Sequence, residues 1–320
     1  MPTRRSFLGS SGVLAGFAAA PLLGGLTGCE SAAPRTPSTA RFSVRASALP
    51  IQTLTAGVQL ITEAPGNVVA LSSSDGMLLV DSGSADKAAG VKASLAGARV
   101  RTLFNTHHHA DQTGGNVLFG GSGATIHAHE ITREWLSTDY YVPAQDRWVK
   151  ALPAAGVPTE TFRVRGETKA GTQRVEFGYL LEAHTRGDIY VFLRDADVLC
   201  VGDVASPLRD PVLDWYAGGW LGARVDSMDL LLKRAGENTR IVPAYGPVMT
   251  RADLQTERDM MLKIYDQTSE LMMTGRSAQD MLDAGVMNNL SRKFHDPYQF
   301  LYDLSKGLWA HYTNFGGRSV

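Results

Sequence analysis

Cysteine is almost absent: Cys29 and Cys200 are the only two in 320 residues, so a disulfide-stapled scaffold is excluded. No single sign of charge dominates either. The 31 Lys and Arg against 32 Asp and Glu leave a formal net charge of −1. That excludes a global basic field that would draw nucleic acid, and no acidic block forms a tail. Long hydrophobic runs are missing as well. The apolar stretch 12–26 is too short and too rich in glycine to make a good spanning helix. No internal repeat is visible. What is present is a chain with 44% hydrophobic residues, an ordinary globular content, long enough for one large domain or two small ones.

The apolar stretch has a different use. It follows the twin-arginine pattern Arg4-Arg5-Ser6-Phe7-Leu8 and ends in Leu26-Thr27-Gly28-Cys29, which resembles a bacterial lipobox. Residues 1–28 therefore read as a signal peptide of the twin-arginine, lipoprotein type. Cys29 becomes the lipidated first residue of the mature protein. The expected location is exported, periplasm-facing and membrane-anchored, with Glu30 favouring the outer membrane over the inner. An ordinary Ala-x-Ala signal, or a start codon called too early, is the alternative. Residues 29–47, rich in Ser, Ala, Pro, Thr and Arg, read as a flexible tether. Cys200 is then the one remaining thiol, read as a buried structural group. The domain at 48–320 must rely on its core, and roughly 270 residues can bury enough surface for that.

Short β-type runs begin after Ile51. Val58–Thr62, Val68–Ser72 and Met77–Asp81 predict an antiparallel meander with turns at Pro65-Gly66-Asn67 and Ser74-Asp75-Gly76. Helical spacing covers Ala85–Leu95, Gly114–Phe119, Ile131–Leu136, Asp226–Ala235, Arg251–Thr274 and Gln299–Tyr312. Further strands are predicted at Val100–Phe104, Thr125–Ala128, Thr161–Val164, Arg174–Phe177, Tyr179–Glu182, Ile189–Leu193, Val198–Val201 and Arg240–Val242. Ser137–Thr159, aromatic and proline-containing, reads as an irregular insertion. Two β-rich halves, each followed by helices, predict an α/β (α+β) fold of two sheets sandwiched by helices.

The chemistry concentrates at His107-His108-His109-Ala110-Asp111, directly after a predicted strand. In extended backbone, residues two apart point the same way, so His107 and His109 can converge on one ion. A fortuitous loop cluster is the alternative for these residues alone. The wider run Asn105-Thr106-His107-x-His109-x-Asp111-Gln112-Thr113-Gly114-Gly115-Asn116 strongly resembles the metallo-β-lactamase signature. His184-Thr185-Arg186-Gly187-Asp188 resembles that superfamily's element carrying the third histidine. Val201-Gly202-Asp203 and Pro243-Ala244-Tyr245-Gly246-Pro247 resemble its second acidic element and its late loop. The chain is identified on these four motifs as a member of the metallo-β-lactamase superfamily. The resemblance implies a four-layer αββα sandwich from about Val58 onward and a first metal site made of His107, His109 and His184.

Two positions depart from the family pattern. Gln112 and Tyr245 stand where the family has histidines of the second metal site, which here keeps Asp111 and Asp203. A neutral amide is a weak zinc ligand, and a phenol binds well only once it loses a proton of pKa about 10. The expectation is one firmly held Zn²⁺, with a second metal weak, absent or of a harder type. Three neutral histidines leave a fourth position open, where the pKa of a bound water falls to about 7. Asp111 is assigned the role of orienting that water or acting as general base, Tyr245 that of donating to an oxyanion, and Gln112 that of holding substrate or supporting ligands.

Other candidates are read more plainly. His127 and His129 have no acidic or cysteine partner nearby, and His295 and His311 read as surface or dimer contacts. Asp81 is expected to hold the metal loop by hydrogen bonds. Trp135, Tyr140, Tyr141, Trp148, Trp215, Tyr216 and Trp220 either rim the site for an apolar or ring-bearing substrate or serve as satellite core or subunit interface. The tail Trp309–Gly317 faintly echoes the alkylsulfatase-like branch and names no substrate. The expected function is a zinc-dependent hydrolase of an ester, lactone, amide or similar bond in a small-molecule substrate. Antibiotic hydrolysis is not favoured, because the second site is altered. A non-catalytic lipoprotein serving as a binding or assembly module is the alternative. The expected partners are that substrate and the membrane through Cys29, with no nucleic acid and a homodimer left open.

Overall fold

The computed structural model describes residues 46–142 and 146–316, except for the side chains of 313–316. The signal peptide, Cys29 and the tether up to residue 45 lie outside the described residues.

Alternation of apolar side chains sets the architecture. In β4 (Gly76–Val80), Leu78 and Val80 belong to one core while Met77 and Leu79 belong to another, as the two faces of a pleated strand require. β4 lies in a seven-stranded sheet whose order is β1 (Ile51–Thr55), β2 (Val58–Ile61), β3 (Val68–Ser73), β4, β5 (Val100–Phe104), β6 (Thr125–His129) and β9 (Glu160–Phe162). The first four strands form the expected antiparallel meander, extended by β1. From β4 to β9 the pairing is parallel.

The second sheet has five strands: β10 (Arg165–Ala170), β11 (Gln173–Tyr179), β12 (Ile189–Leu193), β13 (Val198–Gly202) and β14 (Arg240–Pro243). All five residues of β12 and of β13 are buried, the mark of strands covered on both faces. Ile189, Val191 and Leu193 pack with Leu60, Val69 and Phe104 of the first sheet. Tyr190 and Phe192 point the other way, into a core shared with α5 (Leu221–Arg234), α6 (Arg251–Met273) and α8 (Pro297–Gly316). The outer face of the first sheet is covered by α1 (Ala88–Ser94) and α3 (Asn116–Gly121) through Val91 and Phe119. The layers are thus helix, sheet, sheet, helix. Each fully buried aliphatic side chain contributes about 1.5–3 kcal/mol of transfer free energy, so either sheet alone would leave an untenable apolar face.

Several sequence expectations need correction. In place of the two strands expected at Arg174–Phe177 and Tyr179–Glu182 there is one, β11, which runs through Gly178 and ends at Tyr179; residues 180–182 belong to the loop before His184. Gly178 does not interrupt it; a Cβ there would lie 2.7 Å from the Tyr190 ring, so the glycine makes room for a neighbour on β12. The strand β10 was not expected, since its sequence RGETKA is charged and mostly exposed. The region 137–159 carries a short hairpin of β7 (Tyr140–Val142) and β8 (Arg147–Val149). A short helix, α7 (Ala278–Asp283), was also unforeseen; Ser277 and Asp280 form a capping box at its start.

Candidate metal centre

β5 delivers the chain directly into Asn105-Thr106-His107, and the next helical turn, α2 (Ala110–Thr113), starts after His109. The loop between is closed by amides. Asn116 Nδ2 donates to Asn105 Oδ1 at 2.8 Å, and Asn105 Nδ2 donates back to Asn116 Oδ1 at 3.0 Å. Asp81, with φ of +62°, accepts from Thr106 N and from Thr106 Oγ1, both at 2.8 Å. These bonds hold the loop as expected for Asp81. Its burial pushes the carboxyl up to about 8.

His184 comes from the loop after β11. Asp188 Oδ2 accepts from His184 N at 2.5 Å and from Thr185 N at 2.9 Å, which shapes that loop. The fold brings His107, His109 and His184 together so that one nitrogen of each lies within 4.8 Å of the others. All three neighbouring groups fix which nitrogen that is. His184 Nδ1 donates to Val212 O at 2.8 Å, leaving Nε2 as a lone pair. His109 Nε2 is 2.8 Å from Asp214 Oδ2, so its Nδ1 faces inward. His107 Nδ1 lies 3.1 Å from Thr106 Oγ1, whose own proton goes to Asp81. His107 Nε2 is buried with no hydrogen-bond partner among the described residues.

Two inward lone pairs, His109 Nδ1 and His184 Nε2, stand 3.1 Å apart. At that distance the two nitrogens need a proton or a metal ion between them, and the buried orphan nitrogen of His107 costs about 1–3 kcal/mol. A metal ion answers both problems. Burial, with the neighbouring charge of His109, pushes His107 down to about 4, and burial holds His184 well below its usual value. Both are neutral ligands at pH 7. Burial also acts against charge on His109, but its hydrogen bond to Asp214 outweighs that and raises it. The donor set therefore fits a metal bound by three imidazoles, each held by a hydrogen bond on its far side.

Asp203 follows Gly202 and faces the triad, with Oδ2 at 3.8 Å from His107 Nε2 and 3.7 Å from His184 Nε2. Tyr245 O–H donates to Asp111 Oδ2; despite burial, that bond and the adjacent histidines keep Asp111 below its ordinary value. The tyrosine's proton is thus committed to Asp111, not exposed toward the triad. Gln112 is fully buried, and its amide packs on Gly66, where a Cβ would come within 2.4 Å of Nε2. Neither Oε1 nor Nε2 has a partner among the described residues.

Two residues escaped sequence reasoning. Asp214 orients His109. Arg209 donates from Nη2 to both oxygens of Asp203, at 2.6 Å each, and its Cζ lies 3.6 Å from the centroid of the Tyr245 ring. Neither sits in a motif; only their neighbours in space reveal them. The remaining histidines are accounted for by packing. His108 stacks on Trp135, His127 on Phe104, and His129 on Tyr179. His295 is exposed, and His311 stacks on Trp220. His108 also groups with His109 and Asp214, but His109 Nε2 is already engaged by Asp214. Cys200 is buried between the sheets, which pushes its thiol up.

A cavity of about 880 Å³ opens onto this centre, with His109 and Asp111 on its floor and Trp135, Tyr140, Trp215 and Tyr302 in its walls. Trp148, also expected to rim the site, is largely exposed and packs on Tyr141. Trp220 lies against the helical core with Tyr265.

Residues 61–247, more than half of the chain, match the Metallo-beta-lactamase superfamily. The protein belongs to that superfamily. Over 201 residues it is 26% identical to the metallo-beta-lactamase type 2 of Bacillus cereus, covering 62% of this chain and 73% of the relative. Among solved structures, a metallo-beta-lactamase from Pontibacter korlensis superimposes with a TM-score of 0.53 at 19% identity, covering 67% of this chain and 99% of that one. An inverting sec-alkylsulfatase from Pseudomonas sp. gives a TM-score of 0.60 at 16% identity, covering 85% of this chain and 51% of that one. At these identities the two structures speak for the fold. The fold is hydrolase-like, and its histidine cluster is of a kind that holds a metal.

Proposed function

We propose that the protein is a metal-dependent hydrolase holding one zinc ion at His107, His109 and His184, and that it cleaves an ester, lactone, amide or similar bond in an apolar or ring-bearing small molecule. The observation that carries this reading is the set of three inward-facing imidazole nitrogens, one of them orphaned and two of them 3.1 Å apart. Zinc at such a site supplies Lewis acidity and acidifies water near neutral pH. Asp111, kept ionised, accepts a proton from the attacking nucleophile. Tyr245 holds Asp111 in place by its hydrogen bond, a positioning role instead of the expected direct donation to an oxyanion. The aromatic walls of the cavity recognise the substrate's apolar part and limit water around the reacting bond. Gln112, packed away on Gly66, supports the loop and does not touch substrate.

The test is metal analysis of purified protein together with turnover on a panel of esters and lactones. About one equivalent of zinc with turnover supports the reading. A protein without zinc, or a His107→Ala variant with unchanged metal content and activity, sinks it and leaves the binding-module alternative.

The proposed setting is export through the twin-arginine route and a lipid anchor at Cys29, supported by the order of the N-terminal motifs. No helix among the described residues is long and apolar enough to cross a membrane. Fractionation tests this: Cys29→Ala should move the protein from the membrane to the soluble exported fraction, and an unchanged membrane fraction would refute the anchor.

A further inference from the structure

Two carboxylates, those of Asp203 and Asp111, stand beside the triad. Asp203 is buried, and Asp111 is tied to Tyr245. A carboxylate as buried as Asp203 needs a counter-cation, since its charge is costly away from water. The cation present is Arg209. Its Nη2 binds both oxygens of Asp203, and its plane lies over the ring of Tyr245, the residue bonded to Asp111. The charges of Asp203 and of Asp111 both act on the guanidinium.

We infer that Arg209 is the second cation of this centre: its guanidinium fills the space between Asp203 and the Tyr245–Asp111 pair and limits the centre to one metal ion.

Three further observations support this. The loop that carries Arg209 is built, not loose. Ser206 is gripped by Arg224 Nη2 at its Oγ (2.8 Å), by Glu257 Oε1 at its N–H (2.8 Å) and by Arg292 Nη2 at its carbonyl (2.9 Å). The donors that could serve a second ion are held through the guanidinium: both oxygens of Asp203 are bonded to Arg209, and Asp111 is bonded to Tyr245, on whose ring Arg209 stacks. Finally, the chemistry of the replacement is coherent. A guanidinium is planar and permanently charged, so it can stack on a tyrosine ring where a metal would need an imidazole. Exchange of ligands and gain of a fixed cation are one change: Tyr245 is a poor metal ligand and a good stacking partner.

The inference rests on the three-histidine reading, and the experiment separates the two. Full-length protein is loaded with excess zinc, freed of loose metal, and analysed for zinc content alongside Arg209→Ala and Arg209→Lys, with circular dichroism as a folding control. The wild type should hold about one equivalent, Arg209→Ala about two, and Arg209→Lys, which keeps the charge, about one. Two firmly held equivalents in the wild type overturn the inference, as does a folded Arg209→Ala that still holds one. Zinc in neither the wild type nor Arg209→Ala overturns the three-histidine reading and this inference with it. If Arg209→Ala fails to fold, calorimetric titration of the wild type decides: a single binding event supports a filled second position, and two events refute it.

Discussion

The two flanks of Asp203 solve the same electrostatic problem in different ways. On one flank, three imidazoles turn nitrogens inward, one of them, His107 Nε2, without a partner among the described residues, and each is braced from behind by Thr106, Asp214 or the Val212 carbonyl. On the other, Arg209, Tyr245 and Asp111 have already paired one another. On the proposed reading an ion from outside completes the first flank, whereas the second is paired within the chain. On the inference drawn for Arg209, the second flank carries its positive charge on the chain itself.

The sharpest way to break this contrast is to remove a ligand from the first flank. His107→Ala should abolish firm zinc binding and lower turnover by at least about a thousandfold, measured by metal analysis and single-substrate kinetics. A smaller loss is expected from the bracing residue that the motifs do not mark. Asp214→Ala frees His109 to turn, and zinc affinity should fall by about 10–100-fold in competitive chelator titrations; an unchanged affinity would mean that His109 is held by packing alone.

The third prediction concerns pH. Burial raises Asp81 to about 8 and Asp188 to about 7, so the metal-free folded state keeps protons that the unfolded chain has lost above about pH 4. Stability from these two groups is present at low pH and declines as pH rises through their folded values. The lowered His107 and His184 act oppositely, but only below the ordinary histidine value of about 6.5. Between pH 6.5 and 8 the aspartates act without that opposition, and metal-free protein should lose about 2 kcal/mol in denaturant titrations. Zinc loading should flatten this slope, since a nearby dication favours the ionised acids. The smallest effect sits on the second flank. Gln112→Leu removes an amide whose two polar atoms are unpaired among the described residues. It should leave zinc content unchanged and shift stability by less than about 1 kcal/mol, toward the stable side. A drop in zinc would show that Gln112 serves the centre after all.

Much of this was readable from the residues, for identifiable reasons. His107 and His109 sit two apart after an apolar strand, a local pattern, and the later motifs follow in order. β12 and β13 are uninterrupted apolar runs. Arg209 was not readable, because its meaning depends on a ring 3.6 Å away that belongs to another motif. Asp214 was hidden for the same reason: its partner is 105 residues upstream. β10 was missed because an exposed edge strand has no need of apolar residues, and β11 was split at Gly178 because a glycine's use as clearance for Tyr190 cannot be told from its use as a turn. The cap Ser277-x-x-Asp280 of α7 is legible in the sequence as a local pattern.

Asn67 draws these parts into one history. Its N–H donates to Ala244 O at 2.7 Å, and its Nδ2 donates to Pro243 O at 2.9 Å and Gly246 O at 3.0 Å, a closure over 179 residues. The meeting of His109 and His184 spans another 75. Contacts closed over such distances must pay their loop-closure entropy before they stabilise anything, which favours the local turns and helices forming first. On the proposed one-zinc reading, the ion would therefore enter a folded protein, and the compartment in which folding ends would set which ions are on offer.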